Sequence, residues 1–124
     1  MPKKCCIQIT EGDIDRAKEA YTEDKIPRCM CCPIAQAIKR LTGATWISVS
    51  PNNASYTTKQ GKSVVLELFE EAGHFVLRFD TAFEYAQGRH VRHEDYPMPT
   101  IIHTHIMDGK PVFPKPPTTK EKQP

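Results

Sequence analysis

The chain predicts an α+β fold, with about three helices packed on a small mixed or antiparallel sheet. Three observations carry this. Short runs of alternating apolar and polar residues lie near both ends of the chain, apolar stripes at helical spacing lie between them, and Gly, Pro and Asn separate the two kinds of segment. At 124 residues the chain fits one domain with a real hydrophobic core. The domain is expected over residues 1–109, followed by a flexible Pro- and Lys-rich tail over 110–124 that has no periodic apolar set.

Each element has its own local reason. Lys4 to Thr10 reads as a strand, with Cys5, Ile7 and Ile9 toward the core and Cys6, Gln8 and Thr10 away from it. Thr10 and Asp13 then form a capping box in which Asp replaces the usual Glu, and Ile14, Ala17 and Tyr21 follow at helical spacing. A second helix starts with Pro33 in its first position. It carries the stripe Ile34, Ile38, Leu41 and ends at Gly43, after Lys39 and Arg40 at the negative end of the dipole.

Thr45 to Ser50 alternates as a strand, and Pro51-Asn52-Asn53 supplies a hairpin turn. Lys62 to Leu66 has strand character. The helical spacing of Leu68, Ala72, Phe75, Val76 and Phe79 predicts a third helix over Glu67 to Asp80, with Gly73 costing about 1 kcal/mol relative to alanine. Arg89 to His93 and Thr100 to Ile106 read as strands on either side of Pro97-Met98-Pro99. The expected core is Ile7, Ile9, Ile14, Ala17, Ile34, Ile38, Leu41, Trp46, Phe75, Val76 and Phe79.

Composition narrows the function classes. Seventeen basic against 15 acidic residues leave a net charge of only +2, without the concentrated positive charge of a nucleic-acid specialist. Hydrophobic residues make up 39% of the chain, mean hydropathy is −0.52, and no apolar run approaches the roughly 18 residues of a membrane span. Met1 to Cys6 lacks the features of a signal peptide, so a cytoplasmic location is expected, that of the host cell if the chain is phage-encoded. Five cysteines, two pairs of them adjacent in sequence, fit free thiols better than a disulfide framework.

Arg28-Cys29-Met30-Cys31-Cys32-Pro33 places three thiols at a helix N-terminus, where the dipole favours thiolate. Cys29 and Cys32 have the spacing that lets two sulfurs reach one zinc ion. His103 and His105, two apart on a strand, share a face and would complete a Cys₂His₂ set if the fold joined them. The other reading makes the cysteines small buried packing groups and the histidines the outer side of an edge strand. A thioredoxin-like role lacks the preceding strand and would suffer competition from Cys31. A zinc hydrolase lacks the downstream carboxylate pattern, with Asp108 as the nearest carboxylate.

Arg89, His90, Arg92 and His93 form a candidate site for an anion or an acidic partner surface, neutralised locally by Glu94 and Asp95. Tyr56 to Lys62 reads as ordinary loop chemistry, without the glycine spacing of a phosphate loop.

Three short motifs, Thr10-Glu11-Gly12-Asp13-Ile14, Cys29-x-x-Cys32-Pro33-Ile34-Ala35 and Phe75-Val76-Leu77-Arg78-Phe79-Asp80, give the chain a resemblance to small phage and prophage proteins of unknown function over most of residues 4 to 80. Cys31 and the histidines of the C-terminal half depart from that pattern. The resemblance implies a compact α+β fold and no catalytic residues. It also implies an accessory role in binding a host defence or regulatory protein or a small signalling ligand. The expectation is therefore a non-enzymatic phage-type binding protein that inhibits a host protein or sequesters a small ligand. Against it stand a small zinc- or thiol-dependent enzyme using Cys29, Cys32, His103 and His105, and a weak nucleic-acid binder using Arg89, Arg92 and the tail. Exposed edge strands would offer a route to a homo-oligomer.

Overall fold

A buried carboxylate starts the architecture. In the computed structural model, which describes residues 3–86 and 96–108, strand β1 (Lys3–Ile9) runs into Thr10, the N-cap of helix α1 (Glu11–Glu23). The Thr10 hydroxyl accepts the Asp13 N–H at 3.2 Å, and Asp13 Oδ2 accepts the Thr10 N–H at 2.9 Å, which closes the expected capping box. Asp13 is fully buried and also takes Arg16 from its own helix. Arg40 reaches it from helix α2 (Pro33–Thr42), bonding both carboxylate oxygens at 3.1 and 3.0 Å and donating to the Gln8 carbonyl of β1 at 2.7 Å. One side chain therefore joins α1, α2 and β1.

Asp24, in the left-handed conformation at φ 54°, ends α1, and its N–H bonds the Ala20 carbonyl. A 3-10 turn (Arg28–Met30) then leads to Cys32, the N-cap of α2, with Pro33 in the first helical position. Gly43 caps the far end at φ 69°, where a β-carbon would also press on Lys59 at 3.0 Å. Strands β2 (Trp46–Val49), β3 (Asn53–Thr57) and β4 (Ser63–Leu68) form an antiparallel meander. Helix α3 (Glu70–Ala86) links β4 to β5 (Thr100–Asp108), which inserts between β4 and β1.

The product is an α+β fold, three α-helices and a five-stranded antiparallel sheet of order β1-β5-β4-β3-β2 among the described residues. Helix α2 touches both edge strands, β1 and β2, so the sheet curls about it. Register assigns the two sheet faces. Ile7, Ile102, Leu66, Ala54, Tyr56, Ile47 and Val49 are buried under the helices, whereas Cys6, His103, Glu67, Ser55 and Ser48 alternate away from them.

Four expectations need correction. Trp46 is 46% exposed, because parity admits either Trp46 and Ser48 or Ile47 and Val49 to the core, and the second pair buries two apolar residues without leaving a serine inside. Leu68 belongs to β4, whose Val64, Leu66 and Leu68 continue the period-two pattern, so α3 begins at Glu70 and not at Glu67. That helix also runs past Asp80, held by buried Ala82 and Phe83. Tyr56 and Thr57 are strand residues of β3, with the turn confined to the residues after them. Leu41 and Val76, expected in the core, pack half-buried against it. The strand expected at Arg89 to His93 and the tail at 110–124 lie outside the described residues.

Burial alone would raise the Asp13 pKa, but the hydrogen bonds from Arg40 and Thr10 outweigh it and hold the carboxyl below its usual value. The stability this provides is complete above the unfolded carboxyl value of about 3.9 and is lost as pH falls through the lower folded value. Asp13→Asn should destabilise the fold by about 2 kcal/mol at neutral pH and flatten its acid limb, as measured by urea unfolding between pH values of about 6 and 2. An added methyl at Gly73 would meet only the Pro51 carbonyl oxygen, at an ordinary 3.9 Å. Gly73→Ala should therefore stabilise the protein by about 1 kcal/mol in thermal or urea unfolding.

Candidate functional site

The thiol turn, the end of the β2–β3 hairpin and one side of α3 enclose a pocket of about 290 Å³, near the lower end of small-ligand sites, which begin at roughly 300 Å³. Ile34 from α2, Val49 from β2, Leu68 from β4 and Ala72, Val76 and Leu77 from α3 make its apolar wall. Gly73 lies on the same wall, opposite Pro51. The polar end is formed by Tyr21, Arg28, Cys29 and Asp80.

These polar groups are ordered by one another. The Tyr21 hydroxyl donates to Asp80 Oδ1 at 2.7 Å, and its ring meets Phe79 and Phe83 edge-on at centroid distances of 5.1 Å. Burial, reinforced by that bond to a carboxylate, pushes the phenol pKa upward, so Tyr21 acts as a fixed donor. The Arg28 guanidinium lies 4.8 Å from the Tyr21 ring centroid and pairs with Glu84 on the outer part of α3. Guanidinium and carboxylate thus stand at one end of a largely apolar cleft.

The three thiols of the turn are not equivalent. Cys29 is exposed and lines the pocket. Cys31 is buried with its Sγ 3.5 Å from the Pro27 carbonyl oxygen, and burial together with the neighbouring Cys29 raises its pKa. Cys32 is fully enclosed. Burial pushes its thiol up to about 12, although the amides of Ala35 and Ile34 at the helix start pull the other way. Desolvation outweighs the helix dipole at Cys32, which holds its proton at neutral pH.

His103 and His105 stand on the opposite side of the sheet, because Ile102 and Thr104 between them turn inward. His105 packs edge-on to Phe69 at 4.9 Å and faces Glu67 at 3.7 Å. The sulfur near His103 belongs to Cys6, with Sγ 3.4 Å from Nδ1. The fold keeps Cys29 and Cys32 together on the pocket side but does not bring them to the two histidines. Among the described residues no three His, Cys, Asp or Glu side chains already converge on one metal position. Arg89, His90, Arg92 and His93 lie outside the described residues.

Sequence reasoning missed Tyr21, Arg28 and Asp80 as a group. Their local roles are a core aromatic, a linker cation and a helix carboxylate, and only packing brings residues 59 apart into one hydrogen bond. No described helix is long and apolar enough to cross a membrane. Comparison with protein-family models, curated proteins and solved structures finds no match.

Access should separate the thiols. Under native conditions iodoacetamide should modify Cys29 first, while Cys32 reacts only at the rate of global unfolding, as peptide mapping of a quenched time course would show.

Proposed function

We propose that this is a non-enzymatic binding protein that takes a fragment-sized, mostly apolar molecule into the pocket between α3 and the thiol turn. The observation that carries this reading is the pairing of an apolar wall with Arg28 and Asp80 at one end. An apolar body gains by leaving water along Ile34, Leu68 and Val76, at about 25 cal/mol per Å² buried. A head group bearing both a donor and an acceptor meets Asp80 and Arg28. A group of either charge alone would face one of the two unfavourably, so an amide-like or zwitterionic head fits best.

Such a protein acts by occupancy, and its effect is set by affinity and amount rather than by turnover. This is the stoichiometric action implied by the resemblance to phage accessory proteins, where the bound molecule would be a host signalling ligand. Gly73 supports the same reading, because a helix-interior glycine leaves open space on the pocket wall at a stability cost of about 1 kcal/mol.

Heteronuclear NMR titration with fragment-sized apolar amides, amines and carboxylates tests it. Amides or zwitterions should shift the resonances of Ile34, Ala72, Gly73 and Val76, and Val76→Trp, which fills the cleft, should abolish the shifts while the protein stays folded. Shifts confined to the open sheet face, or none at millimolar ligand, would overturn the proposal.

A further inference from the structure

The outer face of β1 and β5 holds a second cluster, separate from the pocket. Register places Cys6 directly opposite His103, and the side chains turn toward each other, with Sγ 3.4 Å from Nδ1. Glu71, in the first turn of α3, reaches the same place, where its Oε1 accepts the His103 N–H at 3.1 Å. Cys6 is half-buried and His103 and Glu71 are exposed, so an ion arriving from solvent has access.

The 3.4 Å spacing is informative. Zinc binds thiolate sulfur at about 2.3 Å and imidazole nitrogen at about 2.0 Å, and two such bonds span 3.4 Å at an S–Zn–N angle of about 105°, near the tetrahedral angle. The contact is a thiol–imidazole hydrogen bond, and an ion replacing its proton would need rotation of the two side chains but no change in strand register. The other carboxylate oxygen of Glu71 lies on an exposed side chain that can rotate to become a third ligand, leaving the fourth position to water.

We infer that Cys6 and His103, closed by Glu71, form a zinc-type divalent metal site on the open face of the sheet. The site needs the deprotonated thiol, and ion binding releases that proton to solvent. Antiparallel pairing of β1 with β5 creates it from residues 97 apart, and it uses none of the three thiols of the Cys29–Cys32 turn.

Cobalt(II) titrated into the reduced, full-length protein reads out ligand type and geometry together. The wild type should bind one equivalent, with a thiolate-to-cobalt charge-transfer band and the strong visible absorption of a tetrahedral ion, and zinc should displace it. Cys6→Ser should remove the charge-transfer band, and His103→Ala and Glu71→Gln should each weaken binding by at least about tenfold. Cys29→Ser and Cys32→Ala should leave the spectrum unchanged. Cys6 faces away from the core, and an unchanged thermal melt would verify that Cys6→Ser still folds. No band in the wild type would overturn the assignment, as would a band that survives Cys6→Ser and vanishes in Cys29→Ser.

Discussion

The contact on which the rest depends is the one Asp13 makes with Arg40. A carboxylate removed from water is costly unless it is fully paired, and Asp13 meets that demand with the Thr10 amide, Arg16 and a two-oxygen contact from Arg40. Because Arg40 also bonds the Gln8 carbonyl, the orientation of α2 is set against both α1 and β1. Helix α2 in turn touches both edge strands of the sheet, β1 and β2. The N-terminus of α2 carries Cys32 and Ile34 into the pocket, which makes the cleft a consequence of that buried polar joint.

The molecule has two chemically distinct sides. Toward the helices the sheet is largely apolar, and Thr104 is held there by Cys5 at 2.8 Å, as Tyr21 is by Asp80. On the far side the same strands present Cys6, His103, His105, Glu67 and small hydroxyl residues. The pocket proposed for a ligand lies on the first side, where desolvation would strengthen hydrogen bonds to a head group. The proposed metal site lies on the second, where carboxylate, imidazole and thiol keep access to solvent.

The cysteines show how environment overrides local chemistry. Cys32 occupies the N-cap of a helix, the position that favours thiolate, yet complete burial leaves it protonated. Cys29, three residues earlier, is exposed at the mouth of the pocket. Cys5 and Cys6 divide in the same way, with Cys5 bonded to Thr104 on the helix side and Cys6 beside His103 on the open side.

Local interactions made much of the fold legible in the chain. The Thr10–Asp13 box, Pro33 at the start of α2, Gly43 at its end and the alternation of β1 and β5 are set by hydrogen bonding and φ preference within a few residues. The α+β class followed from those segments. Sequence was weakest where two periodicities overlapped, as at Leu68, which fits both a strand and a helix until Thr104 pairs with it. It was weak again at Trp46, whose face depends on which neighbours reach the core. Both candidate sites were decided by tertiary structure alone, because Tyr21 with Asp80 and Cys6 with His103 meet through helix packing and strand register over separations of 59 and 97 residues. The sequence by itself determined where α1 and α2 begin, at the Thr10 cap and at Pro33, since those starts rest on neighbouring residues. Only the folded chain decided which thiol meets which imidazole, because register and packing are properties of segments far apart in the chain.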